Sequence, residues 1–321
     1  MADDNDGRSP DTEWDRVKKG MGSMSDGGMS GMSGMGSGST ATGSMTMGGV
    51  GSSTLLGGDA GDVSYPYHLI NGRPPADRAT ITVPTGKARL RIINAASDTA
   101  YCVAIGGHRL TVTHTDGFPV VPVPVDAILV AMGERYDVTV DVSSGAWPVV
   151  ALAEGKDARA VAVLRTNDAA ATTAPAVEAT PAELDGTIAS LASLRARSDV
   201  ALRAGDVRSI DVRLSGSMMR YDWGINGKTF PDYQRLDVTE GERVRLFFHN
   251  ASGMWHPMHL HGHTFQVDAA NGGPRKDTVI VLPDQRVAVD VVADNPGQWA
   301  LHCHNTYHLA SGMATILAYR S

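Results

Sequence analysis

The chain carries the same text twice. Ile70-Asn71-Gly72-Arg73 returns 155 residues later as Ile225-Asn226-Gly227-Lys228. Arg89-Leu90 followed by Asn94-Ala95 returns 156 residues later as Arg245-Leu246 followed by Asn250-Ala251. Gly107-His108 returns as Gly262-His263, and Gly145-x-Trp147 as Gly297-x-Trp299. Constant order at a nearly constant offset implies one folding unit present twice. Both copies consist of short apolar and β-branched runs separated by turn signals such as Asp116-Gly117 and Asn271-Gly272-Gly273. Such text predicts an all-β protein of two tandem β-sandwiches. Predicted strands include Ala79–Val83, Ala88–Asn94, Arg109–Thr113 and Tyr136–Val142, then Val207–Leu214, Arg243–His249, Thr278–Leu282 and Arg286–Val292. One short helix is expected over Leu184–Ala196.

Residues 1–61 are expected to be disordered. Between Gly20 and Gly51 the text is nearly all Gly, Ser, Met and Thr, which buries too little apolar surface to offset ordering entropy. An Ala/Thr/Pro-rich stretch at 167–183 reads as a linker between units at 62–166 and 184–321. The net charge of −7 has no basic cluster to set against it, which argues against nucleic acid as a partner. No apolar run approaches the ~18 residues of a membrane span. The acidic start, Met1-Ala2-Asp3-Asp4, lacks the basic and apolar regions of an export signal. With only Cys102 and Cys303, the chain is not a disulfide framework.

Seven of the 11 histidines lie between His256 and His308, with Cys303 among them. The repeat is an internal control on this cluster. His108 and His263 are shared, so that position is expected to be structural. His256, His259 and His261 correspond to Tyr101, Ala104 and Gly106, and His302, Cys303 and His304 to Val150, Ala151 and Leu152. The scaffold does not need these side chains, so the second copy carries a site that the first lacks.

The chemistry follows from strand geometry. In Leu301-His302-Cys303-His304, alternate side chains share a face, so both histidines point one way and the cysteine the other. One strand can then serve two metal sites, with peptide bonds as a short electron route between them. On the sulfur side, His256, His308 and Met313 would complete two imidazoles, one thiolate and a thioether, a blue-copper set. On the other side, His259 and His261 would join His302 and His304, and imidazoles without sulfur suit more than one copper ion. A zinc hydrolase reading of the His-x-His-x-His run leaves Cys303 and Met313 idle.

Trp255-His256-Pro-Met-His259-Leu-His261-Gly-His263 and His302-Cys303-His304-Asn-Thr-Tyr-His308-x-x-x-x-Met313 resemble the paired copper signatures of the multicopper oxidases, most of all the bacterial copper-resistance and laccase-like group. The likeness runs from about residue 62 to the end, as the second and third cupredoxin-like (Greek-key) domains of a three-domain oxidase. It implies type 1 copper at His256, Cys303, His308 and Met313, type 2 copper at His259, and the type 3 pair at His261, His302 and His304. Electrons would pass from a phenol, an aromatic amine or Cu(I) through Cys303 to His302 and His304, and dioxygen would become water. The resemblance also implies a location outside the cytoplasm.

Two departures and one addition complete this reading. The family's trinuclear centre takes four further histidines from two His-x-His pairs in a first domain. The remaining histidines here, His68, His108, His114 and His249, form no such pair, so the chain is expected to be an oxidase without its first domain, with Asp3–Met21 as the end of that domain. A blue-copper electron carrier, a copper-storage protein or an inactive remnant are the alternatives. Where some relatives place a carboxylate relay, this chain has Asn305, Thr306 and Tyr307. Asp277 could substitute, although it reads more simply as a turn or strand-start residue. The addition is Met21, Met24, Met29, Met32, Met35, Met45 and Met47, whose soft thioethers suit recruitment of Cu(I). Cys102 reads as a core thiol.

Overall fold

The computed structural model describes residues 1–4, 9–22 and 50–320. They form two β-sandwiches. In the first, a six-stranded sheet runs in the order 188–189, 127–130, 101–105, 146–153, 158–166, 80–83, and a four-stranded sheet in the order 86–93, 135–142, 110–115, 118–125. In the second, a six-stranded sheet (224–225, 208–215, 243–250, 286–292, 265–267, 275–276) faces a five-stranded one (236–238, 314–319, 298–303, 256–260, 278–281). The predicted strands form within one or two residues of their expected ends.

Alternation builds each core. Arg135–Val142 and Arg243–Asn250 bury every second side chain in the same pattern, as a strand with one wet face should. Val112, Val138 and Val140 fill the first core, and Leu246, Phe248, Val289, Leu301 and Leu317 the second. Each such side chain contributes about 1.5–3 kcal/mol on burial.

The repeated words are the joints of the fold. Asn71 and Asn226 both take φ 53°, each followed by a glycine near +73°, and both turns close a bridge, Ile70 to Arg73 and Ile225 to Lys228. Asn-Gly suits a turn with two positive φ angles. The Asn94 side-chain amide donates to Thr99 O and Val130 O while its carbonyl accepts from Ala96 N. Asn250 does the same with Met254 O, Val281 O and Ser252 N. His108 and His263 are both buried edge-on to a tryptophan, Trp147 or Trp299. The shared histidine is therefore structural. Gly262 must be glycine, because its φ is +65° and a Cβ there would sit 2.2 Å from the Trp299 ring.

Two expectations are corrected. Residues 1–61 are not uniformly disordered. Ala2–Asp4 pairs with Tyr67–Leu69, and helix Pro10–Gly22 sets Val17 in the second core with Trp14 packed against it. Ser52–Ser53 pairs with Gly58–Asp59 beside a buried Leu56. These apolar anchors flank a Gly/Ser/Met stretch whose composition masks them, and residues 23–49 lie outside the described residues. Nor is Leu184–Ala196 a helix. It forms short 3-10 turns and the strand Ile188–Ala189, which adds in parallel to Ala127–Val130. Gly186 and the β-branched Thr187 and Ile188 disfavour helix, and an open sheet edge is available. Leu184, Ala189 and Leu194 are buried with the first sandwich, so the second unit starts near Val207 rather than at 184.

Charges lock the sandwiches together. Lys276, fully buried on the second, lies 3.1 Å from Asp116 and 3.1 Å from Glu134 of the first. Asp116, at the tip of its Asp-Gly turn, also accepts from Asp277 N and Thr278 N. Burial pushes the Lys276 ammonium down, but the two carboxylates outweigh it and hold it above the usual lysine range. Removing one partner of a buried ion pair costs about 3–5 kcal/mol because the other charge is stranded. Lys276→Met is therefore expected to lower the free energy of unfolding by about that amount. Denaturant titration followed by circular dichroism checks this, and a loss under 1 kcal/mol contradicts it.

Candidate metal centre

Two strands and one short helix assemble the site. His256–Leu260 pairs antiparallel with Gln298–Cys303, setting Met258 opposite Cys303 and His259 opposite His302. Side chains alternate across this pair, so two clusters form on its opposite faces.

On one face the chain collects His256, Cys303 and His308, all buried. The Nδ1 atoms of His256 and His308 are 3.0 Å apart, and Cys303 Sγ lies 3.7 and 3.5 Å from them. His308 arrives on helix Thr306–Ser311. Asn305 caps that helix, its side-chain oxygen accepting from Tyr307 N and His308 N. Gly312, at φ +113°, turns the chain back. Met313 N then donates to His308 O, and Cys303 N to Met313 O. Met313 is buried in the same core as Cys303. The outer nitrogens are held as well: His256 Nε2 meets Ser252 Oγ at 2.8 Å, and His308 Nε2 meets Asp62 Oδ2 at 2.9 Å. Trp223 lies over the His308 ring with centroids 4.5 Å apart.

The donor set fits copper. Two imidazole nitrogens and a thiol sulfur converge in a dry pocket, a mixed soft and borderline set suited to that metal. Burial pushes His308 down, but the Asp62 carboxylate and the neighbouring Cys303 outweigh it and bring it up to about 10. Burial, and the charge on His308, push His256 well below its ordinary value. His308 must release its proton to ligate, so metal binding here is coupled to proton release.

The opposite face holds His259, His261 and His302, with ligand atoms within 4.8 Å of one another. His261 Nε2 and His302 Nε2 are 3.0 Å apart. His259 Nδ1–H donates to Asp277 O, and His302 Nδ1–H to Cys303 O, which leaves each Nε2 free to ligate. The His304 ring stands beside this trio, 5.7 Å from His259 and 5.8 Å from His302 by centroids. Gly133 of the first sandwich forms its floor, where a Cβ would lie 2.5 Å from the His304 ring. His259, His261 and Asp277 line a surface cavity of about 330 Å³. A larger cavity of about 580 Å³ lies among aliphatic side chains of the first sandwich, including Ile70, Ile81 and Leu90, away from both clusters.

Asp277 is an anchored anion. Burial pushes its carboxyl up, but hydrogen bonds from His259 and Arg135 and the Arg135 charge hold it well below the carboxylate range. Arg135 grips it through two nitrogens, at 2.5 and 2.7 Å. A group so firmly ionised is poorly matched to relaying protons near neutral pH. Cys102 is a buried thiol pushed up to about 12 by burial, with the Glu154 and Asp185 charges adding to it. Met21 lies in helix Pro10–Gly22, and Met24, Met29, Met32, Met35, Met45 and Met47 lie outside the described residues.

Sequence reasoning missed Asp62, Ser252 and Trp223. Ser252 could have been found, since it follows the repeated Asn250 and precedes His256 by four residues. Asp62 carries no local signal, because it reaches His308 across 246 residues of chain.

Burial, together with the neighbouring imidazoles, pushes His302 down to about 4. The unfolded chain takes up that proton near the ordinary value of about 6.5. The stability this group contributes is therefore complete above about 6.5 and is lost as pH falls towards 4. Metal-free His302→Asn should lose less melting temperature than the parent between pH 7 and pH 4.5. Parallel melting curves would contradict this.

Two family models, both described as Multicopper oxidase, match residues 39–170 and 206–321. The multicopper oxidase MmcO of Mycobacterium tuberculosis is 49% identical over 271 residues, covering 83% of this chain and 53% of that protein. Copper resistance protein A of Escherichia coli is 25% identical over 361 residues, covering 79% of this chain and 60% of that protein. Among solved structures, the laccase from Botrytis aclada superposes with a TM-score of 0.64 at 28% identity, covering 75% of this chain and 53% of the laccase. The chain spans about half the length of the curated relatives it matches. Its duplicated sandwich, its two back-to-back ligand clusters and these matches agree that the chain belongs to the multicopper oxidase family.

Proposed function

We propose that this chain serves a copper-dependent oxidase, withdrawing single electrons from a small reductant and coupling them to the reduction of dioxygen to water. The observation that carries this reading is the strand end His302-Cys303-His304, which presents sulfur to one ligand cluster and imidazoles to the other. His256, Cys303, His308 and Met313 would hold type 1 copper. His259 would hold type 2 copper, and His261, His302 and His304 the type 3 pair. Copper bound there supplies one-electron redox chemistry on the sulfur face and oxygen chemistry on the imidazole face.

The protein's own part is positioning and exclusion. Cys303 is covalently continuous with both neighbouring histidines, so the two faces are joined by peptide bonds without intervening solvent. Trp223, Met258 and Tyr307, all buried in the same core, keep water from the sulfur. Ser252 and Asp62 fix the ring orientations of His256 and His308. By the family resemblance the reductant would be a phenol, an aromatic amine or Cu(I); similar proteins carry the names laccase and copper resistance protein. The same resemblance implies a site of action outside the cytoplasm. No helix among the described residues is long and apolar enough to cross a membrane.

Copper-loaded protein is expected to be blue from thiolate-to-copper charge transfer. Cys303→Ser should bleach it with the fold intact, and Met313→Leu should keep the colour but shift the reduction potential. Colour that survives Cys303→Ser would sink the assignment.

A second reading, an electron carrier, is favoured by one observation. The sulfur cluster brings two imidazoles and a thiol together in one buried pocket, whereas the imidazole face draws on four histidines and the other histidines lie elsewhere. His68 bonds Tyr101, His108 packs on Trp147, and His114 lies by Arg89. The 321 residues by themselves are thus expected to turn blue yet consume little dioxygen with phenols or Cu(I). Vigorous uptake with four coppers per chain would contradict this. Deleting residues 20–50 should lower Cu(I) stoichiometry and spare the blue band, and unchanged stoichiometry would rule out recruitment by the methionines.

A further inference from the structure

The metal-free sandwich reaches the sulfur cluster through a chain of buried polar groups. Lys156, whose side chain is 3% exposed, sits in the turn between strands 146–153 and 158–166 of that sandwich. Its ammonium lies 2.7 Å from Asp98 Oδ2 and also donates to Val63 O and Thr99 Oγ1. Asp98 is fully buried and accepts from Asp62 N and Val63 N as well. Its other oxygen accepts from the Asn305 side chain at 2.6 Å, and the same Asn305 nitrogen lies 3.2 Å from Asp62 Oδ2. That Asp62 oxygen also accepts from Tyr221 OH and faces His308 Nε2. The order is therefore Lys156, Asp98, Asn305, Asp62, His308.

Two further features show that this chain of contacts is built to be tight. Gly61 has φ +150°, and a Cβ there would lie 2.6 Å from Asp98 Oδ2 and 2.8 Å from Lys156 Nζ. Only glycine lets the backbone that carries Asp62 close onto the pair. Thr306 N, at the start of the His308 helix, donates to Ser97 O at 2.9 Å, so residues 97 and 98 hold the helix by its backbone and its cap together. The two ligand histidines are thereby made unequal. His256 leans on a neutral hydroxyl, and His308 on an anion backed by a second anion and one cation.

We propose that Lys156 and Asp98 of the metal-free sandwich act as positioning residues that set the reduction potential of the metal bound by His256, Cys303 and His308. The inference rests on the type 1 copper reading above. A carboxylate against the outer nitrogen of a ligand imidazole makes it a stronger donor and favours the more highly charged metal. Asp98 adds negative charge behind that carboxylate, and Lys156 offsets it. In a dry interior such charges act with little screening. Burial, partly offset by the Lys156 charge, pushes the Asp98 carboxyl up to about 6, which still leaves it ionised at pH 7.5.

The test is the reduction potential of the copper-loaded 321-residue chain at pH 7.5, measured by redox titration of the blue band. Asp98→Asn, which keeps the shape, should raise the potential. Lys156→Gln should lower it. Each change is expected to be about tenfold in the Cu(II)/Cu(I) ratio, ~59 mV for one electron. The double variant should fall back between them. A purely structural role predicts shifts of the same sign in both single variants, or none, and either result overturns the proposal. Should Lys156→Gln fail to fold, Asp98→Asn decides alone: a rise supports the proposal, and no change or a fall ends it. A parent chain that binds copper without turning blue would instead refute the type 1 reading on which the proposal stands.

Discussion

The antiparallel register between His256–Leu260 and Gln298–Cys303 is the constraint on which the rest depends. It sets His259 beside His302 and Met258 beside Cys303. Slipping it by one residue would exchange the faces of every side chain on the slipped strand. The thiol would then face His259 and His261, His302 would be turned away from them, and neither cluster would close. The register is held by apolar partners on the core side, where Leu260 pairs with Leu301 and both are buried. On its other flank the histidine strand is fixed by Asn250, whose amide ties Met254 O to Val281 O, the residue paired with His256.

The first copy keeps the same register without the chemistry. Ala104 faces Val150 where His259 faces His302, and Val103 faces Ala151 where Met258 faces Cys303. The fold thus tolerates either set, and the ligands are a substitution onto an existing pair of strands. What the first copy contributes is external support. Its turn at 131–135 places Gly133 under His304 and sends Arg135 to Asp277, which flanks His259. Its loop at 97–98 grips the helix of His308.

That support is made largely of buried charge, which is costly to form and costlier to break. Lys276 sits between Asp116 and Glu134 of the other sandwich, and Lys156 pairs with Asp98 within the first; Asp116 and Asp98 also accept from backbone amides. Apolar contacts alone could join two sandwiches, but they would not fix them within a fraction of an ångström. Ligand geometry that draws on two sandwiches needs that precision, because an ion pair bonded to several partners has one good arrangement.

The duplication, the strands, the structural role of His108 and His263, and the split of His302 and His304 from Cys303 were all legible in the text. Each rests on a local rule: turn chemistry at Asn-Gly, alternation along a strand, and the comparison of one copy with the other. Membership of the copper oxidases was legible too, because ligand spacing on a strand and a short helix is itself local. The text was misread where local composition competes with distant partners. Residues 1–22 and 50–61 looked like extensions of a Gly/Ser/Met stretch, yet Trp14, Val17 and Leu56 find apolar surfaces far along the chain. Leu184–Ala196 looked helical until the free edge of Ala127–Val130 offered it a strand. Only the tertiary structure decided that Asp62 faces His308 and that Lys156 and Asp98 stand behind it, because a buried charge is placed by partners that no nearby residue announces.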